Sequence, residues 1–119
     1  MHLEDLRMYC LGLKGVEETQ PFGPDNLVMK VMGKLFCIIS LDATPASINV
    51  KCDPEMVDAL RDTYTGVQPG YHMNKRHWNT IVFDGSFADN EAMQWITDSY
   101  DLIVRNLPKK LQTELQQLP

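Results

Sequence analysis

The stretch Leu27-Val28-Met29-Lys30-Val31-Met32-Gly33-Lys34-Leu35-Phe36-Cys37-Ile38-Ile39-Ser40-Leu41 decides the fold. It contains two runs rich in β-forming side chains, Leu27–Met32 and Leu35–Leu41, which predict two strands. Only Gly33-Lys34 separates the runs, and Gly at the first central position of a two-residue loop is typical of a type II′ turn. The stretch therefore predicts a tight antiparallel hairpin.

A two-residue loop also predicts which side chains of the hairpin share a face. Lys30 then lies opposite Cys37, and a lysine avoids burial only if its face is open to solvent. We expect the core face to carry Leu27, Met29, Val31, Phe36, Ile38 and Ser40. The open face then carries Val28, Met32, Leu35, Cys37 and Ile39 around Lys30, which is an apolar surface with one cation in it.

Helices and further strands flank the hairpin. Apolar side chains recur at helical spacing in four segments, whereas two others alternate as strands do. Asp53-Pro54 supplies an N-cap and a first helical residue, and Asp89 is expected to cap the long helix that follows it. We expect helices at 3–12, 54–65, 89–107 and 108–118, strands at 47–52 and 78–83, an extended or irregular segment at 16–22, and a loop at 67–77.

This order of elements predicts the fold class. The chain of 119 residues has the length of one domain, so we expect a single domain over 1–119. Because the strands follow one another through hairpin-like connections, their sheet should be antiparallel. With helices on one face and the other face open, the fold class is α+β with two layers.

The most polar part of the predicted sheet lies around 69–81. This segment holds two His, two cations, two aromatic side chains and no acid, although the chain has a net charge of −5. Cations beside an aromatic ring are the usual equipment for binding single-stranded nucleic acid. We expect one sheet face to carry Lys30, Lys34, Lys51, Lys75 and Arg76, with Trp78 as a stacking platform. The alternative is that these cations only protect sheet edges from aggregation.

Enzyme, metal and membrane functions find little support in the sequence. His72 lies in the loop and is expected to pin it by a hydrogen bond, because no nucleophile motif accompanies it. Cys10, Cys37 and Cys52 form no metal-binding pattern and are expected to be small buried or half-buried apolar side chains. We expect no catalytic activity and no cofactor. The acidic N-terminus and the lack of a long apolar run predict a cytoplasmic protein.

Several motifs resemble those of one known family. They are Pro21-Phe22, Lys30–Phe36, Val50–Pro54, Val67–Asn79, Ser99-Tyr100 and Leu107–Lys110. In their order and spacing, over nearly the whole length, the chain resembles the MmcQ/YjbR family of small bacterial proteins. The family pattern has its recurrent polar and aromatic positions at Lys51, His72, Lys75 and Trp78.

This resemblance implies a fold similar to that of frataxin and its bacterial relative CyaY, and comparable with a double-wing DNA-binding fold. It also implies binding of single- or double-stranded DNA. The candidate nucleic-acid-binding residues are Lys30, Lys34, Lys51, His72, Lys75, Arg76 and Trp78. The alternative function is a protein-interaction or small-anion-binding adaptor, which would form a homodimer through the apolar face around Val28, Leu35 and Ile39.

Overall fold

The computed structural model describes residues 1–119 as four helices and six strands. The helices are α1 (Leu3–Leu11), α2 (Pro54–Thr63), α3 (Asp89–Arg105) and α4 (Lys109–Gln117). The strands are β1 (Val16–Thr19), β2 (Asn26–Val31), β3 (Lys34–Ser40), β4 (Ser47–Lys51), β5 (Val67–Pro69) and β6 (Trp78–Val82). No helix combines the length and the apolar character needed to cross a membrane.

The strands form one antiparallel sheet in the order β1-β2-β3-β4-β6-β5, which confirms the predicted α+β class. The two strands that the sequence did not predict, β1 and β5, lie at the edges of this sheet. They are only four and three residues long. Segments this short carry too little alternation to be recognised, and pairing with β2 and β6 defines them as strands.

One face of the sheet, here called the inner face, packs against the helices. Leu6 and Cys10 of α1, Ile96 of α3 and Leu115 of α4 share one buried core with inner-facing side chains such as Ile48 and Val50. The opposite outer face carries the alternate residues of β4, which are Ser47, Asn49 and Lys51. The alternation predicted for this strand is therefore confirmed.

The hairpin turn lies one residue earlier than predicted. Val31 pairs with Lys34, so the two central residues are Met32 and Gly33 rather than Gly33 and Lys34. Both have positive φ, 49° and 81°. This is the type I′ geometry, whose twist matches that of the strands and in which Gly is favoured at the second position. The match of twist offsets the cost of a positive φ at Met32, which is an uncommon conformation for a methionine.

A β-bulge changes the predicted faces of the hairpin. Met29 pairs with Cys37 but Lys30 pairs with Leu35, so Phe36 is an extra residue on β3. A bulge lets two consecutive side chains point to nearly the same side, and Phe36 and Cys37 are both fully buried in the core. The predicted inward direction was right for Leu27, Met29, Val31 and Phe36. It was wrong for Ile38 and Ser40, which lie on the outer face.

The predicted open apolar face is wrong as a consequence. Cys37 and Ile39 belong to the inner core, and Val28 is only 1% exposed. Of the predicted patch, only Met32 and Leu35 remain partly exposed. The homodimer stays a prediction, but the surface from which it was argued does not exist in this form.

Ser99 of α3 joins β3 to β4 where their direct pairing ends. The last paired residues are Cys37 and Val50. Beyond them, the fully buried Ser99 hydroxyl donates to the Phe36 carbonyl at 2.6 Å and accepts from the Lys51 backbone N–H at 2.8 Å. The helix thus supplies the hydrogen bonds that the bulge removes from the sheet.

Replacing this hydroxyl should cost stability out of proportion to its size. In Ser99→Ala, a carbonyl and an N–H lose their buried partner, and we expect the free energy of unfolding to fall by about 1–3 kcal/mol. The measurement is urea unfolding followed by circular dichroism. Thr113→Ala, which removes an exposed helix hydroxyl bonded to the Lys109 carbonyl, is the matched control. Equal, small losses in both variants would contradict the bridging role.

Candidate nucleic-acid interface

The predicted cations meet at one end of the sheet. Because neighbouring strands are antiparallel, the C-terminal ends of β2 and β4 lie beside the N-terminal ends of β3 and β6. Lys30 and Lys51 are at the first pair of ends, and Lys34 and Trp78 are at the second. The loop 70–77, with Lys75 and Arg76, leads directly into β6. We call this group of Lys30, Lys34, Lys51, Lys75, Arg76 and Trp78 the basic end.

Lys51 and Trp78 form the centre of the basic end. They are direct cross-strand partners of β4 and β6, on the outer face and both half-buried. Such partners have Cβ atoms about 4.5–5.5 Å apart, so the lysine stem and the indole ring are neighbours. The sequence prediction that Trp78 faces outward agrees with this register.

None of the five cations is neutralised by an acid. Glu17 is the cross-strand neighbour of Lys30 in the backbone register of β1 and β2. Even so, the ion pairs of the protein involve only Arg7 and the N-terminal amine, and no carboxylate oxygen lies within 4.0 Å of the cations of the basic end. Their charges are therefore available to an anion from solution.

The loop 70–77 is held in one shape by its own backbone. Gly70 donates to the Trp78 carbonyl at 3.0 Å, and Asn74 accepts from the backbone of both His77 and Trp78. A side chain at Gly70 would place its Cβ 2.9 Å from the Trp78 Cβ and carbonyl, so the close approach of the two strands requires glycine there. The Tyr71 N–H donates to Thr80 Oγ1, which anchors the loop to the outer face.

Arg61 of α2 ties this loop to the helix layer, a role that the sequence did not reveal. Its Nε donates to Oδ1 of Asn79 at 2.9 Å, and its Nη2 donates to the carbonyls of Trp78 and Lys75. Asn79 is 1% exposed, so Arg61 is the partner that makes a buried amide oxygen tolerable. An arginine on an exposed stretch of a helix gives no sequence signal for such a contact.

His72 does not have the role predicted for it. Its side chain makes no hydrogen bond to Lys51 or to a carbonyl, is exposed, and has its ring 4.0 Å from that of Tyr71. Lys75 pins the loop instead, because its ammonium donates to the Gly70 carbonyl at 2.9 Å. His72 has a φ of 58°, a left-handed conformation that is uncommon for residues other than glycine.

Most of the acids lie on the helices. The exposed acids of the two longest helices are Glu55, Asp58, Asp62, Asp89, Asp98 and Asp101. The sheet end is therefore cationic while the helix layer is anionic, as the distribution of charge along the sequence indicates. Chemically, the basic end offers ammonium and guanidinium donors and one aromatic face, which suits phosphates and bases.

Comparison with known proteins places the chain among proteins of similar length. The chain is 30% identical over 118 residues to the uncharacterised protein YjbR of Escherichia coli K12, covering 99% of this chain and 100% of that protein. It is 34% identical over 113 residues to the uncharacterised protein YbdF of Escherichia coli O157:H7, covering 95% and 93%.

Solved structures of similar sequence share the fold. The Deinococcus radiodurans protein DR2400, with a DUF419 domain, superposes with a TM-score of 0.89 at 32% identity, covering 98% of this chain and 88% of that one. A Pseudomonas syringae protein superposes with a TM-score of 0.74 at 26% identity, covering 86% and 98%. The model of the YjbR family matches residues 11–102. The chain therefore belongs to the YjbR family.

Proposed function

We propose that this protein binds DNA through the basic end. The observation that carries the proposal is the set of five cations without carboxylate partners, gathered around the outward-facing Trp78. When lysine and arginine that are free of ion pairs contact phosphates, they displace the counterions that are condensed on the DNA. This release drives most DNA association.

The spacing of the basic end suits a strand of nucleic acid. From β2 to β6 the sheet crosses three interstrand gaps. At about 4.8 Å for each gap this distance is about 14 Å. Successive phosphates of one strand rise by about 3.4 Å each along the axis of a duplex, so a basic end that lies along this axis spans the rise of about four nucleotides. Trp78 gives one base of an unpaired strand a ring on which to stack.

The acidic helix layer limits the affinity and orients the complex. With a net charge of −5, the molecule as a whole repels DNA, and only the basic end attracts it. We therefore expect binding at low ionic strength that weakens steeply as salt is added. At physiological salt we expect a Kd of about 10⁻⁴–10⁻⁶ M, which is typical of non-specific complexes.

Neutralising part of the basic end should weaken binding and reduce its dependence on salt. For Lys75→Ala/Arg76→Ala, and separately for Lys30→Gln/Lys34→Gln, we expect the slope of log K against log salt to decrease in magnitude by about 2, because two phosphate contacts are lost. The measurement is fluorescence anisotropy of labelled single- and double-stranded DNA at several salt concentrations.

The matched control is Lys109→Ala/Lys110→Ala, which removes two adjacent exposed cations at the start of α4, outside the basic end. This control changes the net charge of the protein by the same amount as each of the two variants. It should leave the slope of log K against log salt unchanged. The variant Lys30→Gln/Lys34→Gln is included because Lys75 also makes a hydrogen bond within its own loop. Lys30 and Lys34 make no such bond, so their replacement removes charge without removing a loop contact. Equal losses in all three variants, or no binding by the wild type at low salt, would refute the proposal.

Arg61 should affect DNA binding without contacting DNA. Arg61→Lys removes the forked donor set that joins Asn79, Trp78 and Lys75 and leaves the buried Asn79 oxygen unpaired, which costs about 1–3 kcal/mol of stability. We expect faster amide exchange in Tyr71–His77 and weaker DNA binding, with the hairpin of β2 and β3 unchanged. Hydrogen exchange followed by NMR measures the rate of amide exchange in the loop.

The control for this variant is Arg105→Lys, since Arg105 is exposed on α3 and makes no side-chain hydrogen bond or ion pair. If Arg61→Lys behaves like Arg105→Lys in exchange and in binding, the loop does not need its anchor and the positioning role is wrong.

A further inference from the structure

A cleft of about 270 Å³ opens in the helix layer, on the side of the sheet away from the outer face. It lies between α2 and α3. Its floor is made by Val50 and Ile81 of the sheet, and its walls include Leu60 of α2 and Trp95 and Leu102 of α3. Met56 of α2 is a large apolar side chain that lines this opening and is 50% exposed.

The walls of the cleft are fixed before any ligand arrives. Trp95 packs edge-on against Tyr64 and Phe87, with ring centroids 5.2 Å and 5.0 Å apart, so it has little freedom to fill the opening. Asn79, at the floor, is bonded to Arg61. A preformed concave site with apolar walls and a few polar groups at its mouth is the usual form of a small-molecule pocket.

The charged groups that line the cleft are three acids, Asp53, Asp98 and Asp101, and two cations, Lys51 and Arg105. Asp98 and Asp101 are three residues apart on α3, on the same side of the helix, and Asp53 stands across from them at the start of α2. The carboxylate of Asp53 accepts from the Glu55 N–H and that of Asp98 from Gln94, whereas Asp101 has no hydrogen bond or ion pair. Arg105, at the same rim, is exposed and pairs with none of them.

Cys52 reports the electrostatics inside the cleft. Burial, and then the carboxylates of Asp53 and Asp98, raise the pKa of its thiol to about 11, and the influence of Arg61 in the opposite direction is smaller. The thiol lines the cleft and is half-buried, whereas Cys10 and Cys37 are fully buried. Burial by itself disfavours a charge of either sign, and the carboxylates of Asp53 and Asp98 add a negative potential that favours a positive charge over a negative one near Cys52.

We propose that this cleft binds a small organic cation, with its apolar body on Val50, Leu60 and Trp95 and its ammonium group at Asp98 and Asp101. The apolar walls account for the body and the carboxylates at the mouth account for the sign of the charge. This proposal does not depend on DNA binding, although Lys51 belongs both to the basic end and to the lining of the cleft.

The test compares three probes of one shape. They are 2-phenylethylamine, its uncharged counterpart 2-phenylethanol, and the anion 3-phenylpropionate. Each is titrated into the protein while alkylation of Cys52 by iodoacetamide is followed by mass spectrometry, because an occupied cleft shields this thiol. We expect the amine to protect Cys52 from alkylation at concentrations about fivefold below those that the alcohol needs, because a partly exposed charge pair adds only a small binding free energy. We expect no protection by the anion.

Two variants locate the charge preference. Asp98→Asn/Asp101→Asn should abolish the advantage of the amine over the alcohol while leaving protection by the alcohol intact. Asp58→Asn/Asp62→Asn removes two exposed acids of α2 that do not line the cleft, and this variant should retain the advantage of the amine over the alcohol. Circular dichroism establishes that both variants fold, and all four changes are on exposed side chains.

Three outcomes would overturn the proposal. Equal protection by amine and alcohol in the wild type would remove the charge selection, and stronger protection by the anion would reverse it. Protection by none of the probes, up to their solubility limit, would show that the cleft does not bind molecules of this class.

Discussion

The bulge at Phe36, stabilised by the Ser99 hydroxyl, is the constraint on which the rest of the structure depends. The extra residue directs both Phe36 and Cys37 into the core and so decides which hairpin side chains face the helices. It also ends the direct pairing of β3 with β4, and Ser99 reconnects the strands from α3. Phe36 packs edge-on against the neighbouring Tyr100 at 5.5 Å, so α3 fixes the bulge by packing as well as by hydrogen bonding.

The same contact links the core to the proposed interface. Ser99 holds the backbone of Lys51, and Lys51 is the cross-strand partner of Trp78. From Trp78 the backbone of the loop continues to Lys75 and Arg76, and Arg61 holds this loop from the other layer. Rigid support of this kind lets long, flexible cations act from fixed starting points, which lowers the entropy cost of binding.

The two layers divide the chemistry of the molecule. The sheet end is cationic and presents an aromatic ring, whereas the helix layer is acidic and contains an apolar cleft. Such a separation of charge favours ligands of opposite sign on the two surfaces. The surfaces adjoin, because Lys51 belongs to the basic end and also lines the cleft, and Arg61 reaches from α2 to the loop and also influences the pKa of Cys52.

The sequence by itself determined the element types, the antiparallel α+β class, the family, and the residues of the basic end, because periodicity, turn residues and local clusters of charge are short-range signals. The register of the hairpin, the bulge, the edge strands, the contact of Arg61 with Asn79, and the cleft were decided only by the tertiary structure. Each depends on atoms far apart in the chain, such as Ser99 and Phe36. A hydrogen bond or a cavity between such atoms exists only once the packing of the layers has brought them together.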